Sequence, residues 1–167
     1  LKSPLLNEGQ LNYIKQSEFK TVELGTVYPL ADGPSGLAKA LTTLCQQAEQ
    51  AVKEGAEIII LCDRPSGVIK EESSYIPPLL AVGAVHQHLI HQGIRLEASL
   101  IVDTAQCWST HHYACLIGYG ASAVCPYLTW ETIYQWWNEE KTQKLMENGK
   151  LPAITLDKAL ENYRKAV

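Results

Sequence analysis

The sequence predicts an α/β fold: repeated βα units building a mainly parallel sheet of about four strands flanked by helices, with further helices at the C-terminal end. Three observations predict it. First, residues 56–62 (AEIIILC) and 100–102 (LIV) are apolar on both faces, the pattern of a parallel strand covered on each side. Second, Leu37, Ala40, Leu41, Leu44, Cys45, Ala48, Ala51 and Val52 form one apolar stripe at helical spacing, against Lys39, Gln46, Glu49, Gln50 and Lys53 elsewhere. Third, the order helix, glycine, small residue, strand recurs at Glu54-Gly55-Ala56, Gln92-Gly93-Ile94 and Gly118-Tyr119-Gly120, the signature of a helix closed by a glycine at positive φ.

Taken in order, residues 1–20 read as a short helix or coil packed on the body, with Leu5, Leu6, Leu11, Tyr13 and Ile14 as its apolar positions. A strand follows over 22–28, interrupted by Gly25. Asp32 or Ser35 is expected to cap a helix over 35–54, which hands over to a strand at 56–62. The turn-rich stretch 63–67 and a polar excursion over 68–75 lead to Pro77-Pro78, which opens a helix over 77–92. The series continues with a strand at 97–102, a helix at 108–117 and a strand at 121–125. No antiparallel hairpin signal interrupts it. Thr129 is expected to cap a helix over 130–147, Asn148-Gly149 to break it, and Thr155 to cap an amphipathic helix over 156–166. No stop follows Val167, so the chain reads as a fragment of something longer, divided into a packing segment (1–20), an α/β core (21–128) and a helical segment leading toward a following domain (129–167). The strands fit part of a barrel or a small open sheet; a complete eight-unit barrel needs about 200 residues or more.

Composition narrows the function classes. A charged fraction of 19% against 46% hydrophobic residues, with eight Tyr and four Trp, leaves weakly polar surface suited to a domain interface. The net charge of -4 and the lack of any Lys/Arg cluster exclude a nucleic-acid backbone as partner. No apolar run is long enough for a bilayer, and the start reads as domain sequence with no signal segment. Cys45, Cys62, Cys107, Cys115 and Cys125 contain no CxxC pair, which reads as buried free thiols in a reducing compartment.

Candidate chemistry gathers at the carboxyl ends of the strands, where α/β proteins collect functional groups. Asp63 and Arg64 follow one strand, and Asp103 ends another. His111 lies in the segment after it, so an Asp-His base is geometrically possible, although Cys107, Ser109 and Thr110 lack the context of a nucleophile. His111 and His112 are about 100° apart on a helix and cannot share one ion from one face. His88 and His91 do share a face, the start of a metal site but short of the three or four ligands zinc wants. Gly118-Tyr119-Gly120 ends a helix rather than opening one, so it is no dinucleotide fingerprint. Trp136, Trp137 and Tyr163 are the expected interface residues.

The segments LLNEGQL, YPLADGPSGLAKAL, GAEIIILCDRP, IPPLLAVGAVHQHLIHQG and above all THHYACLIGYGASAVCPYLTWET resemble the C-terminal part of the central domain of the large chain of glutamate synthase, particularly the ferredoxin-dependent type of cyanobacteria and plastids. KTQKLMENGKLPAITLDKALENYRKAV resembles the join to the flavin-binding domain. Where the commoner bacterial pattern carries a glutamate and a Gly-Glu-Ala-Arg run before the paired histidines, this sequence has Asp103-Thr104-Ala105-Gln106-Cys107-Trp108, which fits the ferredoxin-dependent branch.

The resemblance implies a parent enzyme that makes glutamate from glutamine and 2-oxoglutarate. A glutaminase domain releases ammonia into a tunnel, and a barrel domain carries FMN and a 3Fe-4S cluster. Both cofactors are bound outside this segment, and ferredoxin is the parent's partner. It implies a cytoplasmic or plastid-stromal location and a non-catalytic scaffold that positions the two domains and helps to wall the ammonia route. Asp63, Arg64, Asp103, His111, His112 and Tyr119 match recognisable family positions, but the resemblance does not make them catalytic. The rival expectation is an autonomous small α/β enzyme using Asp63, Arg64, Asp103 and His111.

Overall fold

A computed structural model describes residues 3–65 and 71–167. Residues 66–70, which hold the end of the expected turn and the start of the polar excursion, lie outside the described residues. Four strands, β1 (Thr21–Gly25), β3 (Ile58–Cys62), β5 (Ser99–Asp103) and β6 (Ala123–Cys125), form one parallel sheet in that order. Each is joined to the next by a helix: α2 (Gly33–Lys53), α3 (Pro78–His91) and α4 (Thr110–Gly118). The sheet is open, because β1 and β6 lie at opposite ends of the order.

The period-2 alternation of the strands divides the core in two. Ile59, Leu61, Leu100, Val102 and Val124 face Leu44, Ala48, Val82, Val85, Leu89 and Leu116 of α2, α3 and α4. Ile60, Cys62, Ile101, Ala123 and Cys125 face the other way, toward Leu6 and Leu11. Leu11 belongs to α1 (Glu8–Lys15), which begins in a reciprocal cap: Asn7 Oδ1 accepts from Gln10 N at 2.8 Å, and Asn7 N donates to Gln10 Oε1 at 3.0 Å. Just before it, Leu6 N donates to Val124 O and Val124 N to Pro4 O, both at 2.8 Å, so the N-terminal segment pairs alongside the sheet at the β6 edge. Leu5 and Leu6 therefore act as sheet residues before α1 packs across the second face.

Several local expectations are corrected. The strand expected over 22–28 is two: after Gly25 the chain leaves the sheet, and β2 (Val27–Pro29) pairs antiparallel with β4 (Ser73–Tyr75). The pivot is buried Thr26, whose N–H donates to Cys62 O at 2.8 Å and whose carbonyl accepts from Ile76 N at 2.7 Å. Gly25 lets the Pro65 ring pack close to the backbone at this point: a Cβ there would stand 3.2 Å from the ring. Asp32 stands at the N-cap of α2, which starts at Gly33, but its side chain makes no capping bond; Ser35 lies inside the helix, and its Oγ donates to Asp32 O. Thr129 does not cap its helix either, since Pro126 already sets the start of α5 (Tyr127–Asn138). The Thr129 hydroxyl donates to Cys107 O at 2.9 Å, satisfying a buried loop carbonyl.

The helix expected over 130–147 breaks at Glu139, whose backbone is extended (φ -60°, ψ 131°), giving α5 and α6 (Glu140–Glu147). The Gln143 side chain caps the freed Trp137 carbonyl. Thr155 does cap α7 (Leu156–Ala166), accepting from Lys158 N at 3.2 Å. The glycine stops hold as expected: Gly55, Gly93 and Gly120 have φ of 89°, 74° and 112°.

Candidate functional site at the strand carboxyl ends

Register brings the candidate carboxylates together. Cys62 pairs with Asp103 across β3 and β5, and the next residue, Asp63, donates its N–H to Asp103 O at 3.2 Å. The Asp63 side chain is 3% exposed and fully engaged. Oδ2 accepts from Thr104 Oγ1 at 2.7 Å and Ala105 N at 2.9 Å, and Oδ1 accepts from Tyr127 Oη at 2.8 Å. Burial, and then the bond to Asp63, push the Tyr127 phenol well above its ordinary value.

Asp103 is equally committed. Arg64 Nε donates to Oδ2 at 3.2 Å and Nη2 to Oδ1 at 3.3 Å, while the Cys62 thiol lies 3.3 Å from Oδ2. Arg64 also reaches Glu8 Oε1 on α1 at 2.8 Å, and its guanidinium lies 3.6 Å from the centroid of the Tyr127 ring. Burial alone would lower the Arg64 pKa, but hydrogen bonds to Asp103 and Glu8 outweigh it and raise it. Burial, with the neighbouring Asp103 carboxylate, pushes the Cys62 thiol up to about 12, so at neutral pH it is no nucleophile. What remains open beside this network is a polar cleft of about 220 Å³ lined by Glu8, Asn12, Lys15, Glu23, Arg64 and Asp103.

Asp63, Arg64 and Asp103 thus share one network, and His111 is not part of it. No hydrogen bond joins His111 to Asp103 among the described residues; its ring lies on the exposed side of α4, with Nε2 3.5 Å from Cys115 Sγ. His112 turns the other way and packs edge-on against the Trp108 ring, centroids 4.7 Å apart. Tyr119 is exposed and lies over Gly83, where a Cβ would meet its ring at 3.2 Å. Trp136 is exposed. Trp137 and Tyr163 are half-buried with their polar atoms used within the chain: Trp137 Nε1 donates to Ile154 O at 2.9 Å, and the Tyr163 hydroxyl lies 2.8 Å from that of Tyr113.

Sequence reasoning missed Tyr127 and Thr104. The rule that picked out Asp63 could have found Tyr127, which stands two residues after β6 at the same sheet edge. It also missed Glu49 as the partner of His88, with Oε2 2.7 Å from Nε2, because the two lie on different helices. His91, the other histidine of that face, is exposed. Among the described residues no group of three or more His, Cys, Asp or Glu side chains is placed to hold a metal ion.

The cofactors implied by the resemblance do not fit the side chains present. Cys45, Cys62, Cys107 and Cys125 are buried but not clustered as cluster ligands would be. Among the described residues, Arg95 lines one of the larger clefts, and its guanidinium donates to His86 Nδ1, Ala98 O and Gly120 O.

Comparison with known proteins agrees with the residues quoted above. The family described as glutamate synthase central domain matches residues 1–167. The chain is 60% identical over 168 residues to ferredoxin-dependent glutamate synthase 2 of Synechocystis, covering 100% of this chain and 11% of that protein. It is 52% identical over 167 residues to ferredoxin-dependent glutamate synthase of Pyropia yezoensis, again 100% of this chain and 11% of the relative. With the chloroplastic ferredoxin-dependent glutamate synthase of rice it shares 50% over 169 residues, 100% and 10% respectively. The chain therefore spans about a tenth of the length of the curated relatives it matches. With the match running the full length of an open parallel sheet whose strand-end groups are tied to one another, the chain belongs to the glutamate synthase central domain family.

Proposed function

We propose that this chain is the structural centre of a ferredoxin-dependent glutamate synthase, holding a glutaminase domain and an FMN- and iron–sulphur-carrying synthase domain of the same polypeptide in register. In that reading it contributes to the wall of the ammonia route and leaves the chemistry to its neighbours. Ferredoxin acts on the parent enzyme, in the cytoplasm of a cyanobacterium or the stroma of a plastid. The observation that carries this is the use made of the strand carboxyl ends. Arg64 binds α1 through Glu8 and β5 through Asp103, and it stacks on the start of α5 at Tyr127, which in turn holds Asp63. Groups that could serve as acid, base or anion ligand are spent on joining four elements. A rigid spacer needs such cross-bracing, because lost register of about 1 Å between a source of intermediate and its consumer is enough to impair transfer.

The test is the Arg64→Ala, Asp103→Ala pair in the full-length enzyme, removing both charges so that neither is left buried alone. Glutamine hydrolysed per glutamate formed should rise, while FMN content and glutamate synthesis from added ammonia stay close to wild type. Unchanged coupling in a folded variant would remove the bracing role. Bound flavin on the purified 167-residue chain would overturn the scaffold reading itself.

A further inference from the structure

The two faces of the sheet are covered unequally. Helices α2, α3 and α4, with residues of α5 and α7, cover one face, whereas on the other Leu6 and the two-turn α1 make the cover. Toward the amino ends of the strands, where α1 has passed, a cleft of about 670 Å³ opens, floored by Ile58, Ile101 and Ala123 and walled by Tyr13, Phe19 and Leu96. Leu96 is 100% exposed, Tyr13 77% and Phe19 50%. Ile101 and Ala123 beneath it are buried, at 3% and 0% exposed, so the bare apolar surface is the rim; clustered exposed apolar groups mark binding surfaces, and this rim lacks its cover.

The rim is held in place. Arg95 Nε donates to His86 Nδ1 at 2.8 Å, Nη1 to Ala98 O at 2.7 Å and Nη2 to Gly120 O at 2.7 Å. Gly120 makes this possible: it sits at φ 112°, and a Cβ there would fall 2.2 Å from His86 Nδ1. Leu96 is thus presented by a braced turn, which lowers the ordering cost of docking. Charge around the cleft is mixed, because Arg95 lines it with its guanidinium bound only to neutral acceptors. Glu57 and Glu97 line it, and the Glu97 carboxylate makes no hydrogen bond or ion pair among the described residues. The nearby cations are committed, Lys15 to Glu23 and Lys20 to the Glu54 carbonyl.

We propose that this cleft seats a segment of the same polypeptide lying outside these 167 residues, apolar where it meets Leu96, Tyr13 and Phe19 and carrying a basic group where it meets Glu97. The proposal rests on the reading of the chain as the centre of a longer enzyme and names where a neighbouring domain docks. Two observations select that occupant. This chain makes up 11% of its Synechocystis relative, so most of such a polypeptide is available to cover it. A tethered segment acts at an effective concentration on the order of millimolar, so a single cleft suffices for it. A second copy would need a self-complementary interface of roughly 1,600 Å².

The experiment places a photo-crosslinking benzoylphenylalanine at position 96 of the full-length enzyme, in a mixture of isotopically light and heavy copies, alongside a Leu96→Cys variant for thiol labelling. The expected result is a crosslink within one copy to a peptide outside these residues. The thiol at position 96 should label at least about tenfold slower in the native enzyme than in the denatured one, the ratio that burial of a leucine-sized side chain supports. Light–heavy crosslinks would overturn the proposal in favour of a dimer contact, and labelling at the denatured rate would overturn it in favour of open surface. The two proposals fail separately. Loss of coupling in the Arg64, Asp103 variant with position 96 open to solvent sinks only the docking site. Protection at position 96 with coupling intact sinks only the bracing role.

Discussion

Asp63 shows how much a single side chain can carry when both carboxylate oxygens are used. Its carboxylate takes two side-chain hydroxyls and one backbone N–H. Asp63→Ala leaves Thr104, Ala105 and Tyr127 as donors without an acceptor in a buried setting, and a loss of about 3 kcal/mol or more is expected in urea unfolding. His86 provides a pH dependence. Its Nδ1 must be unprotonated to accept from Arg95, and burial, followed by the Arg95 charge, lowers its pKa from 6.5. The native state then binds fewer protons than the unfolded one, so this contribution is fully present above about pH 6.5 and is lost as pH falls through the lower native value. The urea midpoint should decline as pH falls below about 6.5, and His86→Gln should flatten that decline. An unaltered slope in the variant would assign it to another group. Asp63 was legible as a strand-end acid; that Arg95 would reach back to His86 in α3 and across to Gly120 after α4 was not, because the return past the glycine stop at Gly93 and the approach of α4 are tertiary.

The helix–glycine–strand junctions give the clearest contrast among elements. Gly55 and Gly120 both close a helix at positive φ, yet a Cβ at Gly55 meets nothing within 4 Å, whereas one at Gly120 collides with His86. Gly55→Ala should therefore cost only the backbone strain, about 1 kcal/mol. Gly120→Ala adds the loss of the Arg95–His86 contact and should cost about 3 kcal/mol, read from the two thermal unfolding midpoints. Equal costs would mean that the brace adds nothing. The positive φ was readable from the repeated pattern; the difference between the two glycines was not, since it depends on which side chain from another element lies over the turn. The same limit explains the helix expected as one unit over 130–147. Its composition is helical throughout, and the break at Glu139 comes with a long side chain, Gln143, reaching back to cap Trp137.

For the molecule as a whole, the cysteines report on how completely the two cores are closed. Burial pushes Cys62 and Cys107 up to about 12 and raises Cys45 and Cys125, whereas Cys115 is half-buried beside His111. Alkylation of the native chain at pH 8 should modify Cys115 first and the other four only with unfolding, resolved by peptide mass analysis. Rapid labelling of Cys62 would mean that α1 does not stay on the second face. Ile59, Ile60, Leu100 and Ile101 announced a parallel strand pair covered on both sides, and the stripe from Leu37 to Val52 announced a helix to cover one of them, because strand and helix periods are properties of the chain itself. The same period fixed the α/β class and the handover from helix to strand at each glycine. Tertiary structure alone decided that Leu5 pairs at the β6 edge, that β2 leaves the sheet for β4, and that Arg64 chooses Asp103, Glu8 and Tyr127 over a ligand. Those choices depend on which unpaired backbone groups and charges the folded chain brings within about 3 Å of each other, a distance that periodicity does not encode.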